Sequence, residues 1–280
     1  MTGEDIPFDV STRGPGEPEV IVVGGVHGDE TGGVKAVRRL RQADLDWQRG
    51  VALVLANPQA IDAGTRYVTS DLNRVFPGNE QGNYEERLAA TLCSYIEDRI
   101  TLSLHGTRSS PTPFALVNQE QTRELELAST LPIPHVVDYA GSRYGSITLC
   151  GPTVEIEVGA QGTEEAAVAA EQQARAFLRR VGALPGEPPQ GTPDFYRMGE
   201  PIPKPEGTEY EVFVDNFEPV ADGDVFAAVD GEELVAESTF VPILVSADGY
   251  PDIFGYHGEK VADTIPLDGL DHERETKTRL

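Results

Sequence analysis

Two textures divide the hydrophobic positions of this chain. In the first, short unbroken apolar runs alternate with amphipathic stretches. Val20-Ile21-Val22-Val23 is continuous and β-branched and stops at Gly24-Gly25, the pattern of a strand buried on both faces. Val34, Val37 and Leu40 then recur at helical spacing. Residues 51–56 repeat the strand pattern and are closed by Asn57-Pro58, and Leu88, Leu92 and Ile96 make a helical stripe from Glu85 onward. Residues 100–104, 114–117 and 154–158 read as further strands. Ala167, Ala170, Ala174, Phe177, Leu178 and Val181 mark one face of a long helix. Strands that are apolar throughout and alternate with helices predict an α/β fold, a doubly wound and mainly parallel sheet covered on both faces.

The second texture begins near Leu184. Pro185-Gly186-Glu187-Pro188-Pro189-Gln190-Gly191 has the composition of a linker. Beyond it, short strand-like runs are separated by Asp222-Gly223, Asp230-Gly231 and Asp248-Gly249, pairs suited to tight turns. The chain thus reads as an α/β domain over 1–184 carrying the candidate site, a small all-β domain over 192–268, and a charged tail over 269–280.

Composition narrows the function classes. Hydrophobic residues make up 39% of the 280, enough for a sizeable core. No apolar run approaches the roughly 20 residues of a membrane span. The acidic N-terminus lacks the basic-then-apolar order of a signal peptide, so the expected compartment is the cytoplasm. A formal charge of -25 speaks against nucleic acid, whose phosphates it would repel. Lys35, Lys204, Lys260 and Lys277 are the only lysines among 22 basic residues. A diffuse acidic excess poor in lysine suits a salt-rich cytosol, where screening acts within about 3 Å at 1 M. Cys93 and Cys150 are too few for a disulfide framework and do not form a CxxC pair, so they read as small core residues.

The candidate chemistry sits at strand ends, where open α/β sheets bind ligands. Gly25-Val26-His27-Gly28-Asp29-Glu30 follows the first strand, and an imidazole and a carboxylate separated by two residues in a tight turn can aim at one point. Leu102-Ser103-Leu104-His105-Gly106-Thr107 ends another apolar strand in histidine. Catalytic zinc takes three protein ligands and keeps one open position, and His27, Glu30 and His105 supply three. In Val154-Glu155-Ile156-Glu157-Val158-Gly159 two carboxylates interrupt an apolar strand on one face. Buried carboxylates need a partner or a task. Glu157, nearer the carboxyl end, is placed to take a proton from water and return it to a leaving amine; Glu155 is either a supporting partner or ion-paired. Arg66-Tyr67 and Asp71-Leu72-Asn73-Arg74 add arginines suited to carboxylates or an oxyanion.

Four stretches in this order, 25–31 (GVHGDET), 65–78 (TRYVTSDLNRVFPG), 104–107 (LHGT) and 156–162 (IEVGAQG), resemble the succinylglutamate desuccinylase/aspartoacylase family of the wider zinc carboxypeptidase group. The resemblance spans most of the chain. It implies a zinc-carboxypeptidase-like topology and one zinc ion on His27, Glu30 and His105. It implies Glu157 as general base and acid, Arg66 polarising the scissile carbonyl, and Asn73 and Arg74 holding a substrate carboxylate. A looser match, 241–250, makes Tyr250 a further substrate contact. Two departures stand out. The family carries Asp two residues before the third ligand, where this chain has Ser103. Aspartoacylases also carry a second arginine before the EVG motif, and Arg143 lies too far from Glu157 to match it. The implied reaction is deacylation of a small N-acyl amino acid. The rival readings are a zinc carboxypeptidase acting on peptides and an inactive ligand-binding homologue. Neither nucleic acid nor membrane is an expected partner, and self-association is left open.

Overall fold

The computed structural model describes residues 7–139 and 145–267, so Arg143 and the 269–280 tail lie outside the described residues. The first part of the chain runs β1 (Asp9–Arg13), β2 (Val20–Gly24), α1 (Thr31–Gln42), β3 (Val51–Leu55), α2 (Pro58–Ala63) and α3 (Tyr84–Ile96). It continues through β4 (Ile100–Thr107), β5 (Phe114–Val117), α4 (Thr122–Ala128), β6 (His135–Asp138), β7 (Thr153–Ala160) and α5 (Glu164–Arg180). The remainder is β8 (Asp194–Pro203), β9 (Tyr210–Val212), β10 (Val225–Val229), β11 (Glu232–Val235), β12 (Val241–Ile243) and β13 (Ile253–Ala262).

Ten strands form one sheet in the order β1-β3-β2-β4-β7-β5-β6-β8-β13-β12. β3, β2, β4 and β7 are mutually parallel neighbours. β5 runs antiparallel to β7 and parallel to β6. The sheet is therefore mainly parallel, as the unbroken apolar strands predict. Side-chain alternation explains why those strands must be apolar on both faces. Val20 and Val22 pack with Val34, Val37 and Phe177 of α1 and α5, while Ile21 and Val23 pack with Leu88, Leu92 and Ile96 of α3.

Several elements differ from the sequence reading. Asn57-Pro58 does more than close β3. The Asn57 side chain accepts a bond from the Ala60 N–H at 3.2 Å, and Pro58 opens α2, a position where its missing N–H is harmless. In the C-terminal part, β8 pairs in parallel with β6, and β13 and β12 follow antiparallel. These three strands extend the main sheet, and β9, β10 and β11 form a separate antiparallel sheet. Asp230-Gly231 makes the β10–β11 turn with both residues at positive φ, as an Asp-Gly hairpin requires. The cysteines need correction: Cys93 of α3 and Cys150 are bonded to each other across 57 residues, so they are not two independent core thiols. No described helix is long and apolar enough to cross a membrane.

Candidate metal centre and active site

β2, β4 and β7 are adjacent and parallel, so their carboxyl ends open onto one point. The register aligns Ser103 with Glu155 and His105 with Glu157 across β4 and β7. The loop after β2 brings His27 and Glu30 beside them. Glycine makes this approach feasible: a Cβ on Gly33, in the first turn of α1, would lie 2.6 Å from the Leu104 carbonyl oxygen. The start of α1 therefore sits directly on β4, and Glu30 Oε2 accepts the Gly106 N–H at 3.1 Å.

His27, Glu30 and His105 are buried, with donor atoms all within 4.8 Å of one another. Glu30 lies between the imidazoles: Oε1 is 2.6 Å from His27 Nδ1, and Oε2 is 3.3 Å from His105 Nδ1. Each ring turns its other nitrogen away from Glu30. His27 Nε2 lies 3.0 Å from Asp71 Oδ1. His105 Nε2 lies 2.8 Å from Ser103 Oγ and 3.4 Å from Glu155 Oε1. Arg66 donates through Nε to Asp71 Oδ2 at 2.9 Å and through Nη1 to Glu30 Oε1 at 3.3 Å.

The electrostatics of this cluster have one origin. The carboxylates of Glu30, Asp71, Glu155 and Glu157 outnumber the neighbouring guanidinium of Arg66. Burial opposes charge on His27, yet the Glu30 carboxylate and the bonds to Asp71 and Glu30 raise its pKa above the ordinary value. Burial also opposes charge on His105, yet Glu155 and Glu30 push it up to about 10. Burial would raise Glu30, but the two histidines hold it well below the usual carboxylate range. Asp71 is likewise held low against burial, by His27 and Arg66. The site thus favours added positive charge. Two imidazole nitrogens and one carboxylate facing an open cleft are the donor set of a catalytic zinc site, and they fit a divalent cation.

The cleft has a volume of about 240 Å³ and is lined by His27, Glu30, His105, Glu157, Arg66, Arg74 and Tyr250. Tyr250 comes from the loop after β12. Asn216 ties that region to the β4 loop by donating to the carbonyls of Ser109 at 2.6 Å and Val245 at 2.9 Å. Lys204 holds the loop itself, donating to the carbonyls of Ala247 and Tyr250 at 2.6 Å each.

Asn73 is the sequence-derived site residue that the structure places elsewhere. It has no exposed surface. Its Nδ2 donates to Glu155 Oε1 at 2.9 Å, and its Oδ1 accepts the Ile147 N–H at 2.9 Å. Both ends of the amide are engaged beneath the cleft, by Glu155 and Ile147. Arg74 remains at the cleft, anchored by Nη1 to the Asn73 carbonyl at 2.8 Å.

Five contributors escaped the sequence reading. Asp71 was visible within the matched stretch but had no assigned role; its contact with His27 spans 44 residues. Glu85 is fully buried in α3 and accepts the N–H groups of Val68, Thr69 and Ser70, which pins the loop carrying Arg66, Asp71 and Arg74. Arg108, Ser109 and Asp248 also line the cleft, with no spacing signal to mark them.

The profile of the succinylglutamate desuccinylase/aspartoacylase catalytic domain matches residues 16–183. An N-alpha-acetyl-L-2,4-diaminobutyric acid deacetylase from Halomonas elongata is 30% identical over 209 residues, covering 65% of this chain and 60% of that protein. A succinylglutamate desuccinylase from Idiomarina loihiensis is 27% identical over 153 residues, covering 51% of this chain and 44% of that one. The chain thus spans about half the length of these relatives. The crystal structure of a succinylglutamate desuccinylase/aspartoacylase from Rhodobacter sphaeroides superposes with a TM-score of 0.76 at 21% identity, covering 90% of this chain and 89% of that one. The matched profile spans β2 to α5 with the loops that carry His27, Glu30, Arg66, Arg74, His105 and Glu157, and the chain belongs to the succinylglutamate desuccinylase/aspartoacylase family.

Proposed function

We propose that this chain hydrolyses the amide bond of a small N-acyl amino acid, with one zinc ion held by His27, Glu30 and His105. The observation that carries this reading is the convergence of those three buried donors with Glu157, Arg66 and Arg74 on one cleft. When bound, zinc supplies Lewis-acid polarisation of a carbonyl and lowers the pKa of water toward about 7.

The chain's own residues divide the remaining work. Arg74, at the cleft wall, binds the substrate carboxylate through its guanidinium fork. Arg66, held by Asp71 and Glu30, turns its remaining N–H groups toward the acyl oxygen and stabilises charge that develops there. Glu157 takes the proton of the attacking water and delivers it to the leaving nitrogen. Tyr250 covers the substrate from the side of the C-terminal strands.

A cleft of about 240 Å³ lies below the roughly 300–1,000 Å³ of pockets for drug-sized ligands, which favours an acyl amino acid over an extended peptide. Asp29 and Asp248 on its wall add acceptors for a cationic side chain. N-acetyl-2,4-diaminobutyrate, the substrate class named for the Halomonas relative, therefore belongs beside N-succinylglutamate and N-acetylaspartate in a substrate panel that also holds dipeptides and longer peptides. Turnover confined to acyl amino acids is expected. Preferential release of C-terminal residues from peptides would establish the carboxypeptidase reading instead.

The charge of -25 with four lysines supports a second proposal, that the fold is adapted to concentrated salt, which screens its self-repulsion. Unfolding in dilute buffer and refolding in molar salt is the expected behaviour; equal stability in both would refute it.

A further inference from the structure

Each imidazole of the candidate metal centre presents Nδ1 to Glu30 and Nε2 to a second carboxylate. For His27 that carboxylate is Asp71, at 3.0 Å. For His105 it is Glu155, at 3.4 Å, with Ser103 Oγ closer at 2.8 Å. Glu155 does not belong to the strand that carries His105. It reaches across from β7, where the register sets it opposite Ser103. Asn73 joins the two arrangements: its backbone N–H donates to Asp71 Oδ1 at 2.9 Å and its side-chain amide donates to Glu155 Oε1 at 2.9 Å. Ser103, Glu155 and Asn73 all have no exposed surface.

A fully buried carboxylate is costly unless partnered. Glu155 is held away from the cleft and is therefore unsuited to touching substrate. A ligating histidine needs a defined tautomer, and an acceptor on its outer nitrogen sets it. We propose that Glu155, acting with Ser103 and steadied by Asn73, is the positioning carboxylate of His105. The small hydroxyl of Ser103 leaves room on β4 for a carboxylate supplied by the neighbouring strand. Asn73 is then a positioning residue, which accounts for its burial beneath the cleft. The assignment rests on His105 as a metal ligand.

The test is zinc affinity, measured by chelator competition on the full chain and accompanied by the visible spectrum of the cobalt-loaded protein. Glu155→Gln preserves shape and removes the charge. It is expected to weaken zinc by about 10–100-fold, the usual effect of losing such a partner, and to shift the cobalt bands. Asn73→Ala leaves every charge in place and is expected to weaken zinc in the same direction by less. Adding Ser103→Asp to Glu155→Gln returns a carboxylate from β4 and is expected to restore affinity, a recovery that a merely structural role would not give. Ser103→Ala, a small change in a buried site, keeps the idea falsifiable if Glu155→Gln fails to fold; it too is expected to weaken zinc. His105→Ala separates the two levels. If it abolishes zinc binding while Glu155→Gln, Ser103→Ala and Asn73→Ala leave affinity unchanged, the positioning role is overturned and the metal site stands. If His105→Ala binds zinc as the wild type does, the metal-centre reading falls, and the positioning role with it.

Discussion

Gly28 lies between two of the proposed ligands, His27 and Glu30, and against α2. A Cβ at this position would stand 2.1 Å from the Ala60 carbonyl carbon, 2.2 Å from its oxygen and 2.4 Å from the Ile61 nitrogen. All are backbone atoms, so no rotamer change relieves the contact, and Ala60 itself is fully buried. Ordinary van der Waals contact begins at 3.4 Å, so Gly28→Ala must part the two backbones by 3.4 minus 2.1, or about 1.3 Å. The Gly28 N–H also donates to the Arg66 carbonyl at 3.2 Å, so the displacement reaches His27, Glu30 and Arg66 together. A misplacement of about 1 Å in a reacting constellation costs about 10²-fold, and that loss is expected in kcat/KM, with weaker zinc binding. Overpacking adds about 1–3 kcal/mol of destabilisation, which urea unfolding reads. Gly106→Ala is the control, because its Cβ would meet nothing nearer than 3.5 Å and should leave zinc affinity intact. Wild-type affinity and kcat/KM in a folded Gly28→Ala protein would refute the reasoning that steric contact with α2 sets the ligand geometry.

Other consequences are open to simple assays. Arg74→Ala removes a charged hydrogen-bond donor worth about 1.5–3 kcal/mol, so KM for carboxylate substrates is expected to rise about 10–100-fold with kcat less affected; an unchanged KM counts against the role. Burial opposes a proton on His105, but Glu155 and Glu30 favour one, and that proton must leave for the ring to ligate. Zinc uptake at neutral pH should therefore release protons, seen as a calorimetric heat that depends on the buffer; a buffer-independent heat contradicts this. Burial pushes Glu124 up to about 8 from 4.5, even though it accepts N–H groups of Asn118 and Thr153. A raised pKa contributes stability that is complete below 4.5 and lost as pH climbs through about 8. Glu124→Gln should flatten the melting temperature across that range, and parallel pH profiles for the two proteins would dismiss the effect.

What the sequence disclosed follows from how local each signal is. The core strands were readable because burial on both faces forces an unbroken apolar run, as in Val20 to Val23. His105 was readable because it ends such a run, and His27 because it lies in the glycine-rich loop just beyond one, where open α/β sheets bind ligands. Glu155 and Glu157 were separable by one strand period, and the fold sends them to different places: one against His105, the other to the cleft wall. The depth of Asn73 was not readable, because its position beside Arg74 says nothing of the contacts with Ile147 and Glu155 some 74 and 82 residues away. The Cys93–Cys150 bond was hidden for the same reason. Asn57-Pro58 is ambiguous in principle, since the pair that ends a strand also begins a helix. Which C-terminal strand pairs with β6 depends on long-range register and leaves no mark in periodicity.

Metal content and deacylase activity, measured together in high salt for the wild type and Glu157→Ala, test the central claim most directly. About one zinc per chain is expected in both proteins, as a three-ligand site independent of Glu157 requires, with N-acyl amino acid hydrolysis in the wild type alone. Folded wild-type protein without stoichiometric metal, or a Glu157→Ala variant with undiminished activity, would contradict it.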